Sequence, residues 1–279
     1  MAGTYSPETL AELERVALEV RRNVLRMTHK AGSGHPGGSL SCTDLLTALY
    51  FHELRVDPKN PRWPGRDRFV LSKGHAAPAL YSVMAEKGFL PKEELSTLRE
   101  LGSRLQGHVD AGKLPGIEAS TGCLGQGISM AVGMALDARL AKRDSRVYAV
   151  LGDGECQEGE TWEAFMAGAH FKLDNLTAII DRNGIETDGT TEEIMALEPL
   201  ADKTRAFGWH TLVVDGHSFP ALLDAFAEAK TVKGRPTMII AKTVKGKSVS
   251  FMENKAAYHG KPPSSEELQK GLRELGVEN

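Results

Sequence analysis

Apolar residues recur at helical spacing from the start of the chain, with Leu10, Leu13, Ala17, Val20, Val24 and Met27 on one face. Ser6-Pro7-Glu8 ahead of them supplies an N-cap, a proline suited to the first helical position and a first-turn acid. The spacing predicts an amphipathic helix over residues 7 to about 30. A glycine-rich loop, Gly32-Ser33-Gly34-His35-Pro36-Gly37-Gly38, should end it, followed by a second helix over 44–54 and a proline-rich connection through Pro58, Pro61 and Pro64. Phe69-Val70-Leu71 reads as a short buried strand, and the Gly74-His75 turn leads into a helix ending near Met84.

Beyond this point, apolar runs alternate with helical patterns. Helices are expected over 125–142, 158–171 and 220–230, and strands over 146–151, 176–181, 211–214 and 237–241. Short apolar runs that alternate with helices mark a mostly parallel sheet covered on both faces, so the fold class is α/β. Ser264 with Leu268, Leu272 and Leu275 predicts a terminal helix in a tail from about residue 262. Residues 1–279 read as a single domain with no internal repeat.

Composition narrows the function. Of 279 residues, 41% are hydrophobic and 25% charged, with a formal charge of −3, which offers no basis for binding nucleic acid or a membrane surface. No apolar run approaches the roughly 20 residues of a membrane span, and the polar opening MAGTYSPETL is not that of a leader. Cys42, Cys123 and Cys156 form no Cys-x-x-Cys pair, as expected of reduced thiols in a cytoplasmic protein.

Ligands of open α/β sheets bind beyond the carboxyl ends of the strands. Two loops meet that condition, Leu151-Gly152-Asp153-Gly154-Glu155 and Asp181-Arg182-Asn183-Gly184-Ile185. If a helix returns the chain between their strands, Asp153 and Asn183 lie side by side. A carboxylate, an amide oxygen and a backbone carbonyl form a hard-oxygen set suited to Mg²⁺ or Ca²⁺, completed by a bound diphosphate. A lone Gly-Asp-Gly is usually just a turn; the pairing with Asn183 thirty positions later, each at the end of an apolar run, is the thiamine diphosphate signature.

With these loops, the motifs Ser33-Gly34-His35-Pro36-Gly37-Gly38, Leu71-Ser72-Lys73-Gly74-His75-Ala76, Gly107-His108, Gly122-Cys123-Leu124-Gly125-Gln126-Gly127 and Gln157-Glu158-Gly159 make the chain resemble the N-terminal portion of transketolase. The resemblance runs from about Arg21 to His259 and implies the fold that holds the diphosphate end of thiamine diphosphate. It implies a divalent cation on Asp153, Asn183 and Ile185. The cofactor would lie on His75, Gly122, Leu124, Gly154, Glu158, Asn183 and His259. His35, His108 and His259 would act in catalysis, with His35 and His108 at the substrate hydroxyls and His35 and His259 moving protons. Glu158, also a favourable first-turn acid in its own right, would join a network at the subunit interface. Cys123 stands where the family often has proline. Asp188-Gly189 reads as a turn and Lys245-Gly246-Lys247 as a solvated basic loop that could gate the site.

A full transketolase carries its pyrimidine-binding domain after this portion, and this chain is too short to hold it. The expectation is therefore an N-terminal subunit that moves a two-carbon ketol group between sugar phosphates. It would do so with a separate C-terminal subunit, as a homodimer within a heterotetramer. Two alternatives are half of a related thiamine-dependent transferase acting on an unusual sugar, and a non-catalytic scaffold subunit.

Overall fold

Every strand of the computed structural model, which describes residues 5–278, runs in the same direction. In chain order the elements are α1 (Pro7–Ala31), α2 (Pro36–Ser41), α3 (Thr43–Ala48), β1 (Arg68–Leu71), α4 (Ala77–Lys87), α5 (Gln126–Leu140), β2 (Val147–Gly152), α6 (Gly159–His170), β3 (Leu176–Arg182), α7 (Thr191–Ile194), α8 (Leu200–Ala206), β4 (His210–Asp215), α9 (Phe219–Thr231), β5 (Thr237–Lys242) and α10 (Ser265–Glu274). The strands form one five-stranded parallel sheet in the order β1-β2-β3-β5-β4. The reading that the opening decapeptide is no leader falls partly on residues 1–4, outside the described residues. Among the described residues no helix is long and apolar enough to cross a membrane.

Alternation along the strands explains why the sheet is covered on both sides. Tyr148, Val150, Ile179 and Ile239 join one buried cluster with α1, α3, α4 and α9. Their neighbours Val147, Ala149, Ala178, Ile180 and Ile240 join a second cluster with α5, α6 and Trp209. Successive side chains of a strand point to opposite faces, so a strand apolar throughout requires two layers of helices. α1 buries the predicted stripe, including Leu13, Ala17, Val20 and Val24. Ser6 Oγ accepts from Thr9 N at 3.2 Å to start the helix, and Gly32 (φ 58°) ends it in the left-handed region. α10 packs against α1, with Gly271 approaching Leu25 and Leu275 buried in the first cluster.

The structure corrects three local expectations. The run expected as a loop through Gly38 becomes helical at Pro36. Its glycines serve close packing: a Cβ on Gly37 would lie 2.8 Å from the Tyr258 carbonyl oxygen. The helix expected over 44–54 is instead α3, separated from α2 by a break at Cys42 and followed by a π-helical turn over Leu49–Glu53. The short helices α7 and α8 were not foreseen, although Thr190 and Glu193 form a capping box whose pattern is visible in the sequence.

Strands β2 and β3 pair in register with Gly152 opposite Asp181, so the loops that follow them leave the same sheet edge together. Under that edge Asp181 is fully buried, and its carboxylate accepts from Lys73 Nζ, from Ser41 Oγ at 2.6 Å and from Thr243 Oγ1. Burial alone would raise the pKa of Asp181, but the attraction of Lys73 and these hydrogen bonds hold it below the usual carboxylate range. Replacing Lys73 with methionine leaves that carboxylate uncompensated. The expected cost is roughly 3–5 kcal/mol, read as a fall in Tm of on the order of 10 °C for a chain of this size. Arg205→Met, which breaks an exposed pair with Asp202, should change stability by less than about 1 kcal/mol. Equal melting of the two variants would show that the buried pair does not organise the sheet edge.

Candidate active site

The four loop histidines named from the sequence meet beyond the carboxyl edge of the sheet. His35 lies 5.4 Å from His75, 5.6 Å from His108 and 5.5 Å from His259, ring centre to ring centre, and His75 lies 5.0 Å from His259. Each arrives on a different element: His35 caps α2, His75 sits in a helical turn before α4, His108 lies in the long segment before α5, and His259 follows a turn over Ala256–Tyr258. The Gly37 approach to Tyr258 brings the first of these segments against the last.

Beside the cluster is a cavity of about 140 Å³ lined by His75, Asp153, Gly154, Asn183, Ile185 and His259 together with Leu124 and Glu158. Asp153 is 2% exposed. Its Oδ2 accepts from Gly184 N at 2.5 Å and Arg182 Nη1 at 3.1 Å, and its Oδ1 from Gly154 N at 2.9 Å, so the carboxylate ties both loops together. Burial and the nearby charge of Asp181 push its pKa up. Asn183 turns its amide nitrogen toward Asp181 Oδ2 at 3.4 Å, since a carboxylate only accepts, and its oxygen accepts from Ile185 N at 3.1 Å. A buried carboxylate, a fixed amide oxygen and the Ile185 carbonyl form a hard-oxygen set that fits a divalent cation. The carbonyl already draws a positive group, because Lys245 Nζ donates to it at 2.8 Å.

His35, His108 and Gly122 are not on the walls of this cavity. His108 lines a wider, adjoining cavity of about 650 Å³ with Arg99 and Gln106. Gly122 backs that histidine: a Cβ there would lie 3.2 Å from the His108 ring. His35 packs against His75 of the smaller cavity and His108 of the wider one, and its Nδ1 is buried without a hydrogen-bond partner. Glu158 is exposed at the N-cap of α6, and its side chain makes no capping bond. A separate hollow of about 600 Å³ opens beside α1 and α9 around Arg21, Asp44 and His217. Within it Arg21 and His217 both reach Asp44, and it shares no residue with the histidine cluster.

Lys245 is the principal correction. Expected in a solvated loop, it is 2% exposed, lines the smaller cavity and donates to His259 Nδ1 at 2.9 Å. Burial and the nearby Lys73 lower its pKa to about 8. The same forces keep the histidines neutral. Burial, with His108 and the Arg99 guanidinium next, lowers His35 to about 4, and burial with Lys245 lowers His259 to about 3. Burial and Lys73 take His75 well below its ordinary value, and burial and Arg99 lower His108. Because Lys245 donates to His259 Nδ1, the neutral His259 ring carries its proton on Nε2 and offers a donor there. Lys73, Lys245, Arg99, Arg182 and Glu155 were not assigned to the site from the sequence. The Lys245-Gly246-Lys247 run held a signal, since Gly246 (φ 77°) approaches the Met252 carbonyl oxygen to within 2.5 Å for a built Cβ, which marks an ordered turn rather than a loose basic loop.

Comparison with known proteins follows this geometry. The family model described as transketolase, thiamine diphosphate binding domain, matches residues 14–279. The chain is 45% identical to the 6-deoxy-6-sulfo-D-fructose transketolase subunit SqwG of Clostridium sp. over 97% of its own length and 98% of that protein. It is also 45% identical to an apulose-4-phosphate transketolase subunit of Phocaeicola vulgatus, over 94% and 93%. Against mouse transketolase it is 42% identical over 99% of its length but spans only 44% of that protein. The crystal structure of a transketolase from Pichia stipitis superposes with a TM-score of 0.91 at 34% identity, over 95% of this chain and 41% of that one. Fold, loop chemistry and sequence agree that this chain belongs to the transketolase family and corresponds to its thiamine diphosphate binding domain.

Proposed function

We propose that residues 1–279 act as one diphosphate-binding domain, the N-terminal subunit of a two-chain transketolase that transfers a two-carbon ketol group from a ketose phosphate to an aldose phosphate. The observation that carries this reading is the convergence of a hard-oxygen set, a lysine and neutral histidines on one cavity. Two relatives that the chain spans almost end to end are named as transketolase subunits, which supports a separate chain for the pyrimidine-binding half. Two copies of each chain give the simplest symmetric assembly, a heterotetramer around a homodimer of this subunit. The working compartment would be the cytoplasm, and the pentose phosphate pathway a natural place for the reaction.

Asp153, Asn183 and the Ile185 carbonyl would hold Mg²⁺, or Ca²⁺ in its place. Lys245, His75 and His259 would bind the diphosphate, with the Gly154 backbone close by. Gly122 and Leu124 would offer backbone groups to the aminopyrimidine side, and Glu158 would face the neighbouring subunit. When bound, thiamine diphosphate supplies the nucleophilic carbon that accepts the ketol unit and passes it on. The chain itself supplies proton handling. His35, with a free buried Nδ1, and His108 would orient substrate hydroxyls, and His35 and His259 would hold and move protons as neutral imidazoles. A second reading, transfer from an unusual sugar, draws support from the two subunit relatives, which are named for a sulfosugar and for apulose phosphate. Retention of both the oxygen set and the histidine cluster weighs against a purely non-catalytic scaffold.

Three measurements test this function. The purified chain should show negligible ketol transfer until the pyrimidine-domain chain is added; full turnover without a partner would refute the division of the site. Asp153→Ala and Asn183→Ala should each weaken Mg²⁺-dependent thiamine diphosphate binding by tenfold or more, or about 1.4 kcal/mol, with the fold retained. Unchanged calorimetric affinity in both would remove the cation from these residues. Finally, His35 and His259 resist protonation in the folded chain but take it up near pH 6.5 when unfolded. The unfolded state therefore binds more protons, and stability should decline as pH falls from 7 to 5. His35→Asn with His259→Asn should flatten that slope; an equally steep slope in the double variant would mean that these rings do not titrate as described.

A further inference from the structure

Glu155 lies in the Gly-Asp-Gly loop but has no part in the proposed ligand set, and it is 1% exposed. Its carboxylate is shared among three loops. Oε1 accepts from Ser72 Oγ and from Gly125 N at 2.9 Å, while Oε2 accepts from Gly152 N at 3.0 Å. The Ser72 loop continues into Lys73 and His75. The Gly125 loop carries Gly122 and Leu124 and opens α5, and the Gly152 loop carries Asp153 and Gly154. One anion therefore bridges the histidine side, the pyrimidine side and the cation side of the cavity.

The placement suits a charge. Gly125 is the N-cap of the fifteen-residue helix α5, where a negative group is stabilised by unpaired backbone N–H groups and the helix dipole. Burial raises the pKa of Glu155, and the three neutral donors, with Lys73 further away, act against that rise by favouring the charged form. The packing leaves little slack, because a Cβ on Gly127 in the first turn of α5 would lie 2.6 Å from Ser72 Cα. Backbone atoms thus meet on one side of this junction and the carboxylate closes the other.

We propose that Glu155 is a positioning residue that sets the loop at 122–125 against the loops at 72–75 and 152–155, and thereby fixes the spacing of the cofactor site through its two acceptor oxygens. A glutamine has the same shape but only one acceptor atom. With its oxygen on Ser72 and Gly125, its NH₂ group faces the Gly152 N–H, donor against donor.

The inference rests on the proposed cofactor role of the site, and two readouts on Glu155→Gln separate them. In the chain alone, amide hydrogen exchange at 122–127 should accelerate tenfold or more while β2 and β3 keep wild-type protection. In the enzyme reconstituted with its pyrimidine-domain chain, the thiamine diphosphate concentration for half-activity should rise at least tenfold, with kcat at saturating cofactor within twofold of wild type. Wild-type exchange at 122–127, or acceleration spread evenly over the sheet, overturns the proposal. So does an unchanged half-activity concentration. If the wild-type enzyme shows no dependence on thiamine diphosphate, the proposed function fails, and the exchange result still decides the role of Glu155. Should Glu155→Gln not fold, Ser72→Ala removes one of the three donors, and a several-fold rise in the same two quantities is expected; no change in either overturns the proposal.

Discussion

Asp181 and Lys73 form a buried ion pair at the point where the sheet ends and the site begins. Two opposite charges near a protein surface attract by about 4 kcal/mol at 4 Å, and removal from water makes each intolerant of losing the other. What gives this pair its reach is the range of its other partners. Asp181 accepts from Ser41 at the end of α2, from Thr243 after β5 and from the Asn183 amide. Lys73 also donates to the Gly38 carbonyl at 3.0 Å. Segments that carry His35, His75, Asn183 and Lys245 are therefore referenced to one fixed charge, and the cavity inherits its shape from that pair.

The second lysine has the opposite character. Lys73 is matched, whereas Lys245 faces the Ile185 carbonyl and a neutral histidine and holds its proton less firmly because it is buried with Lys73 nearby. The cavity sets one ammonium beside uncharged imidazoles, with Glu155, Glu158 and Glu186 also on its walls, and burial together with the nearby cations keeps those imidazoles unprotonated. Burial, not any single contact, is the largest cause in each case.

Much of this was legible in the sequence. The parallel sheet followed from apolar runs alternating with helices, and the proximity of Asp153 and Asn183 followed from placing each directly after such a run. The four histidines could be named from their loops. The buried ionic frame could not be read in the same way. Lys73 and Lys245 look like any surface lysine in a linear pattern, and only the chain's return from β5 takes Lys245 under Tyr258 and His259. Glu155 was similarly hidden, since its partners lie at Ser72 and Gly125, far away in sequence. Helical geometry at Pro36-Gly37-Gly38 defied propensity because close backbone packing required residues without Cβ atoms.

These forces also divide the site into two mechanical halves. At the Asp153 end the loops are held by hydrogen bonds: Asp153 by Gly184 and Arg182, Asn183 by Asp181, and Lys245 by Ile185. Arg182 further ties Thr191 and Glu198 to that end. At the other end, His108 and Arg99 belong to residues 98–125, which among the described residues contain turns and bends but neither helix nor strand. Arg99 itself takes a left-handed backbone (φ 62°) and reaches across to Ser33 Oγ at 2.7 Å. Rigid elements place charged groups accurately, while loops change sequence and shape at low cost to the fold. Under the proposed function, gripping a charged tail would therefore fall to the sheet edge, and admitting a particular substrate to the segment best able to vary.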